Sequence, residues 1–314
     1  MNDALKLAEE LEIGWTEKDF EMLLGLFRIY GPSHGETPVL EFIKNILTKN
    51  NIPFKQDKNG NIYCLNHKGQ PLLSAHTDCV GTEESGYYVR FIDIYPYQKS
   101  NELIMKGIGN IGGDDKCGVF LILEYLLSGK PINAVFSICE EIGGADGIKT
   151  LINEIKDDEI FKSCPYALVL DRRNWGDIIC HINEYGSKKF EDALTEIGKD
   201  FNYSPVKGGS SDANTLKDYM NCCNLSTAYY NPHSTREYVS INELWNTWNY
   251  INALIEKMPR DIPLEKKEPV VWSGPVWDGT KSNSWNNSSW NNSSKDLKKD
   301  NPAWYNSYGY YDWY

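Results

Sequence analysis

Residues 71–78 read Pro-Leu-Leu-Ser-Ala-His-Thr-Asp, a short apolar run that stops at His76 and Asp78. Two further stretches repeat that design. Residues 134–141 read Ala-Val-Phe-Ser-Ile-Cys-Glu-Glu, and residues 167–171 read Ala-Leu-Val-Leu-Asp. Apolar runs this short suit strands buried on both faces. Around them the spacing predicts helices over 17–30, 36–49, 116–127, 144–154, 187–198, 210–219 and 241–258. Shorter strands are predicted over 54–56, 62–65, 178–182 and 222–228, with a hairpin from 87–94 and 102–106. Strands alternating with helices predict an α/β protein, a three-layer α/β/α sandwich.

The chain has 314 residues, enough for two domains or for one large domain with appendages. Hydrophobic residues at 41% and charged residues at 24% exclude wholesale disorder and a fibrous fold. A net charge of −12 argues against nucleic acid as a partner, because such partners call for a basic stripe. No apolar run reaches the length of a membrane span, and residues 1–15 do not read as a signal peptide, so the expected location is cytoplasmic. The eight Cys include no CxxC, which fits reduced thiols used as small buried hydrophobes.

Composition changes at Pro263. Six of the ten Trp lie beyond it, and Trp-Asn-Asn-Ser-Ser occurs at 285 and again at 290. Six basic and six acidic residues cancel there, so the charge of −12 belongs to residues 1–262. Residues 1–262 are therefore expected to form one folded domain. Residues 263–314 are expected to be an Asn/Ser/Trp/Tyr-rich, disordered tail. Its aromatics suit an unknown protein or a glycan as partner; a tolerated low-complexity extension is the equal alternative.

In open α/β sheets ligands collect beyond the carboxyl ends of the strands. Three such ends here present His76, Glu141 and Asp171. Gly112-Gly113-Asp114-Asp115-Lys116 enters a helix, and Asn231-Pro232-His233 follows later. His76, Asp114, Glu141, Asp171 and His233 together supply the nitrogen and oxygen donors that two zinc ions with a shared carboxylate require. Asp78 lies two residues from His76, on the same side of an extended segment, where it can hold the second ring nitrogen. Glu140, beside Glu141, suits a general base.

The order His-x-Asp, Asp-Asp-Lys-x-Gly, Glu-Glu, Asp and His-Ser-x-x-Glu resembles the co-catalytic zinc exopeptidases. Gly112–Lys116 and Gly208-Gly209-Ser210-Ser211-Asp212-Ala213 look most like the peptidase T and glutamate-carboxypeptidase branch. The resemblance covers roughly residues 31–257. It implies a mixed, mainly parallel sheet between helices and two Zn²⁺ per chain, with Co²⁺ or Mn²⁺ also suited to the ligands. It implies that Asp114 bridges the metals, that His76 and Asp171 bind one and Glu141 and His233 the other, that Asp78 orients His76, and that Glu140 is the base acting on a metal-bridging water. Only 62 positions separate Asp171 from His233, so the lid domain of that branch looks absent, as in single-domain aminopeptidases. That leaves the oligomeric state open.

Other residues carry two readings each. Arg172 and Arg173 can clamp a substrate carboxylate or form a salt bridge. Gly209 and Ser210 can offer amides to a substrate carboxylate or oxyanion, or merely pack and cap a helix. Glu237 is more a structural residue than a ligand-binding one, and Asp115 more a holder of a backbone amide than a metal ligand. The expected activity is zinc-dependent hydrolysis of small peptides, first as an aminopeptidase. Carboxypeptidase or N-acyl-amino-acid amidohydrolase chemistry is the alternative within enzymes. A non-catalytic binding protein acting through its tail is the alternative outside them.

Overall fold

The 71–78 run forms a central strand of an eight-stranded sheet. The structure is a computed structural model, and it describes residues 2–81, 92–97, 102–142 and 146–265. Its strands are β1 (Lys55–Gln56), β2 (Ile62–Cys64), β3 (Leu72–His76), β4 (Asp93–Tyr97), β5 (Glu102–Lys106), β6 (Asn133–Ser137), β7 (Tyr166–Arg172), β8 (Asp177–Ile179), β9 (Ser204–Pro205), β10 (Asn221–Ser226), β11 (Tyr229–Tyr230) and β12 (Tyr238–Ser240). Its helices are α1 (Asn2–Glu10), α2 (Glu17–Phe27), α3 (Thr37–Lys49), α4 (Gly113–Leu127), α5 (Asp146–Ile155), α6 (Glu159–Ser163), α7 (Lys188–Gly198), α8 (Ala213–Leu216) and α9 (Ile241–Lys257). The large sheet runs β1-β2-β6-β3-β7-β10-β8-β9. Its four middle strands are parallel, and β2 and β8 flank them antiparallel. This is the mixed, mainly parallel α/β sandwich that the resemblance implies.

Alternation along each strand divides the interior into two layers. Leu73, Ala75, Ala134, Phe136, Leu168 and Leu170 join one apolar cluster with α2, α3, α4, α7 and α9. Leu72, Val135, Ala167 and Val169 face the other way, toward α5, α6 and α8. Serines cap two of the helices: Ser187 accepts from the Phe190 amide and Ser240 from the Glu243 amide. Among the described residues no helix is long and apolar enough to cross a membrane.

Helix α4 is buried nearly all round and lies across β3 and β7. Gly118 permits that approach. A Cβ there would stand 2.4 Å from the Leu170 carbonyl oxygen and 2.6 Å from Asp115 Oδ1.

Several elements differ from the sequence reading. The helix expected over 210–219 is the single turn α8. Ser211 and Asp212 are drawn inward instead, and Asp212 Oδ2 accepts hydrogen bonds from Ser137 Oγ (2.6 Å) and Ser74 Oγ (3.3 Å). The strand expected over 178–182 ends at Ile179 and gives way to a 3-10 turn, His181–Asn183. The expected hairpin pairs β5 with β4, farther along the chain than 87–94, and residues 82–91 lie outside the described residues. Both strands belong to a second, antiparallel sheet, β11-β12-β5-β4. Strands β11 and β12 are too short to leave a periodic signal. Helices α1 and α6 were not expected either. Apart from residues 263–265, the tail lies outside the described residues.

Gly118→Ala is expected to lower stability by about 1–3 kcal/mol, the usual cost of forcing extra volume into a packed core. Urea denaturation of the variant against wild type measures it; an unchanged midpoint would mean that α4 can move off β7.

Candidate metal centre

Strands β6, β3 and β7 are adjacent and parallel, so their carboxyl ends open at one edge of the sheet. His76 is the last residue of β3 and Asp171 the penultimate residue of β7. Glu140 and Glu141 follow β6, Asp114 stands in the first turn of α4, and His233 lies between β11 and β12. The small sheet thus delivers the second imidazole to the edge of the large one.

The five expected donors meet. His76 Nε2 lies 3.1 Å from Asp114 Oδ1 and 3.7 Å from Asp171 Oδ1. His233 Nε2 lies 3.2 Å from Asp114 Oδ2 and 2.9 Å from Glu141 Oε1. Asp114 therefore gives one oxygen to each imidazole. Burial opposes its charge, but the hydrogen bonds with His233 and His76 hold it well below the usual carboxylate range. Asp171 goes the other way, raised by burial and by the charge of Asp114. The Asp114 and Glu141 carboxylates raise His233 to about 10. Three carboxylates around two imidazoles form a site that favours positive charge.

The donor set can hold metal ions. Its atoms are imidazole nitrogen and carboxylate oxygen, the His76, Asp114 and Glu141 atoms lie within 4.8 Å of one another, and one carboxylate faces both halves. His76, Asp115 and Asp171 also cluster within that distance. Asp115, however, spends its oxygens on the Gly118 amide (3.0 Å) and the His76 amide (3.2 Å).

The supporting contacts are more specific than the spacing suggested. His76 Nδ1 lies 3.1 Å from the Asp78 carbonyl oxygen and 3.4 Å from its carboxylate. The Asp78 carboxylate also accepts from Ser33 Oγ (2.6 Å), the Glu140 amide (3.0 Å) and the Glu141 amide (3.2 Å). Burial opposes its ionisation, but the hydrogen bond and charge of His76, followed by the hydrogen bonds from Ser33 and the Glu140 amide, outweigh burial and hold the carboxyl at about 2. Upstream, the Ile138 amide donates to Asn61 Oδ1 and the Cys139 amide to Glu36 Oε1. Four consecutive amides leaving β6 are thus held by side chains rather than by a strand.

Asp171 sits where the β7–β10 register slips. Asn224 bridges the gap, donating to the Asp171 carbonyl (2.7 Å) and accepting from its amide (3.1 Å). Tyr229, buried, donates to Asp171 Oδ1 (3.3 Å). Glu237, fully buried, accepts from the Gly112 amide (2.8 Å) and the Asp114 amide (3.3 Å), so it seats the start of α4 rather than orienting His233. Sequence reasoning did not flag Asn61, Glu36, Asn224 or Tyr229. Each acts across a long sequence separation, and no motif marks it.

A cleft of about 300 Å³ opens over the donors. Glu140 lines it, as do Arg172, Arg173, Gly209 and Ser210. Arg172 pairs through Nε with Asp177 (3.0 Å). The loop with Gly209 and Ser210 is a clasped turn rather than a helix start: Asn183 donates to the Gly208 carbonyl and accepts from the Gly208 amide, and Tyr185 donates to the Gly209 carbonyl. Cys79, Cys117 and Cys222 are buried, and His67 and His181 lie outside the cluster. His34 Nδ1 contacts Cys139 Sγ at 3.5 Å, away from the donors.

No family model matches this sequence, and no curated protein matches it. Solved structures do. The chain aligns with an aminopeptidase from the archaeon Desulfurococcus kamchatkensis at a TM-score of 0.57 and 18% identity, over 77% of this chain and 96% of that one. It aligns with aminopeptidase PepT from Bacillus cereus at a TM-score of 0.58 and 14% identity, over 76% and 98%. An endoglucanase from Thermotoga maritima aligns at 0.51 and 16%, over 74% and 96%. At such identities the likeness establishes the fold, and function has to be argued from the site.

Glu237→Ala leaves the buried Asp114 amide without its acceptor, while the Gly112 amide keeps Asn110 Oδ1 (2.8 Å). Zinc affinity is expected to fall about 10–100-fold, as for other supports of metal ligands. Competition against a chromogenic chelator measures it, and an unchanged affinity would show that Asp114 needs no such seat.

Proposed function

We propose that residues 1–262 form a lidless catalytic domain that hydrolyses small peptides as a zinc-dependent aminopeptidase. The convergence of His76, Asp114, Glu141, Asp171 and His233 beneath a cleft that also contains Glu140 carries this reading. The names of two of the similar structures, an aminopeptidase and aminopeptidase PepT, agree with it.

His76 and Asp171 would hold one metal and Glu141 and His233 the other, with Asp114 between them. When bound, the pair supplies Lewis acidity, which polarises the scissile carbonyl and makes water nucleophilic at neutral pH. Glu140 removes the proton from the attacking water and returns it to the leaving amine. Burial raises its carboxyl to about 7, where both transfers are accessible near neutrality. The amides of Glu140 and Glu141 are both fixed by Asp78, so the base and a ligand keep one spacing. Arg172 and Arg173 in the cleft favour a second reading, hydrolysis next to a free carboxylate, as in a carboxypeptidase or an N-acyl-amino-acid amidohydrolase.

Glu140→Gln is expected to retain zinc and lose about 10²–10⁴ in kcat. A chelator should abolish wild-type activity, and added zinc should restore it. A tripeptide free at both ends should be cleaved, and its amine-blocked form should not. Cleavage of the blocked form would move the enzyme to the second reading. A Glu140→Gln protein as fast as wild type would remove the base assignment.

A further inference from the structure

Arg172 ends β7 directly after Asp171, yet its guanidinium does not pair with that carboxylate. Its Nε donates to Asp177 Oδ2 at 3.0 Å. The side chain is only 20% exposed, so the stem is packed and the head is held. Asp177 is placed in turn. Its amide donates to Ser226 Oγ (3.2 Å), and that hydroxyl donates to the Arg173 carbonyl (3.1 Å). Strands β7, β8 and β10 are thereby laced together around one ion pair.

That pairing uses the inner edge of the fork. Among the described residues neither terminal nitrogen of Arg172 makes a hydrogen bond, and the residue borders the same cleft as Asp171 and Glu140. Arg173, exposed, borders it too. A guanidinium fixed through Nε presents its two terminal nitrogens side by side, the geometry that a carboxylate meets with both oxygens. Lysine has no such fork, and a free arginine would lose more side-chain entropy on binding. The cleft, at about 300 Å³, is at the small end for ligand sites, so a carboxylate reaching Arg172 belongs to the molecule being cleaved and lies close to the bond.

We infer that Arg172, oriented by Asp177, is the carboxylate-recognition residue of this cleft, and that the site selects small substrates with a free carboxylate one or two residues beyond the scissile amide. The inference rests on the proposed peptidase reading for the word "scissile". The recognition itself rests on the ion-pair geometry and on Arg172 bordering the cleft. Asp177 is a positioning residue: it touches no substrate, and it sets the angle of the fork.

The test is binding, so that it does not depend on turnover. The zinc-loaded full chain carrying Glu140→Gln is titrated calorimetrically with a tripeptide, with its carboxyl-terminal amide, and with the amide of a tripeptide ending in Glu. The free acid is expected to bind about 10–100-fold more tightly than the plain amide, the range for charge-assisted hydrogen bonds. Arg172→Gln should collapse that ratio toward one. Asp177→Asn should reduce it part of the way, and Arg172→Lys should not restore it fully. Tight binding of the Glu-ending amide would place recognition on an acidic side chain rather than on the terminal carboxylate. An acid-to-amide ratio that survives Arg172→Gln, or equal loss of both ligands in that variant, would overturn the inference. If wild type cleaves no peptide while the ratio behaves as expected, the peptidase reading falls and the carboxylate site stands.

Discussion

The site depends on a short backbone segment that has no secondary structure of its own. Beyond Ser137 the chain leaves β6, and the amides of Ile138, Cys139, Glu140 and Glu141 lose their ladder. Each donates to a side-chain oxygen: Asn61, Glu36, and both oxygens of Asp78. A buried amide without a partner costs free energy, so these acceptors are required for the segment to sit where it does. Asp78 is the most consequential of them. The same carboxylate that holds Glu140 and Glu141 also approaches His76, so the ends of β3 and β6 share one anchor.

The acids around the cleft divide into two groups by what they accept. Asp78, Asp115 and Glu237 take backbone amides and thereby place other residues. Asp114, Asp171 and Glu141 direct oxygens at imidazoles and into the common centre. Packing this many carboxylates together is unfavourable unless hydrogen bonds or cations offset it. The first group is offset by the fold. The second is offset only in part, by two histidines and the Tyr229 hydroxyl, which leaves the centre with a demand for positive charge.

Much of this was legible in the residues. His76, Glu141 and Asp171 each end an apolar run, and parallel strands bring their carboxyl ends to one edge whatever the details of packing. Asp115 reads as a holder of amides because it opens a helix beside another Asp. Other contacts were not legible. Asn224 meets Asp171 because the β7–β10 register slips there, and a register slip is a property of two strands together. His233 reaches the centre from a hairpin of two- and three-residue strands, which no periodicity can announce.

The sequence by itself determined the ends of the three ligand-bearing strands, the donor types and the layered α/β order, because these follow from local hydrophobic patterning and from residue chemistry. The tertiary structure decided which acids are spent on amides and which remain for the centre, how the small sheet delivers His233, and how Asp177 turns Arg172. Those choices depend on hydrogen bonds between residues far apart in the chain, and an amide's need for an acceptor does not specify which side chain supplies it.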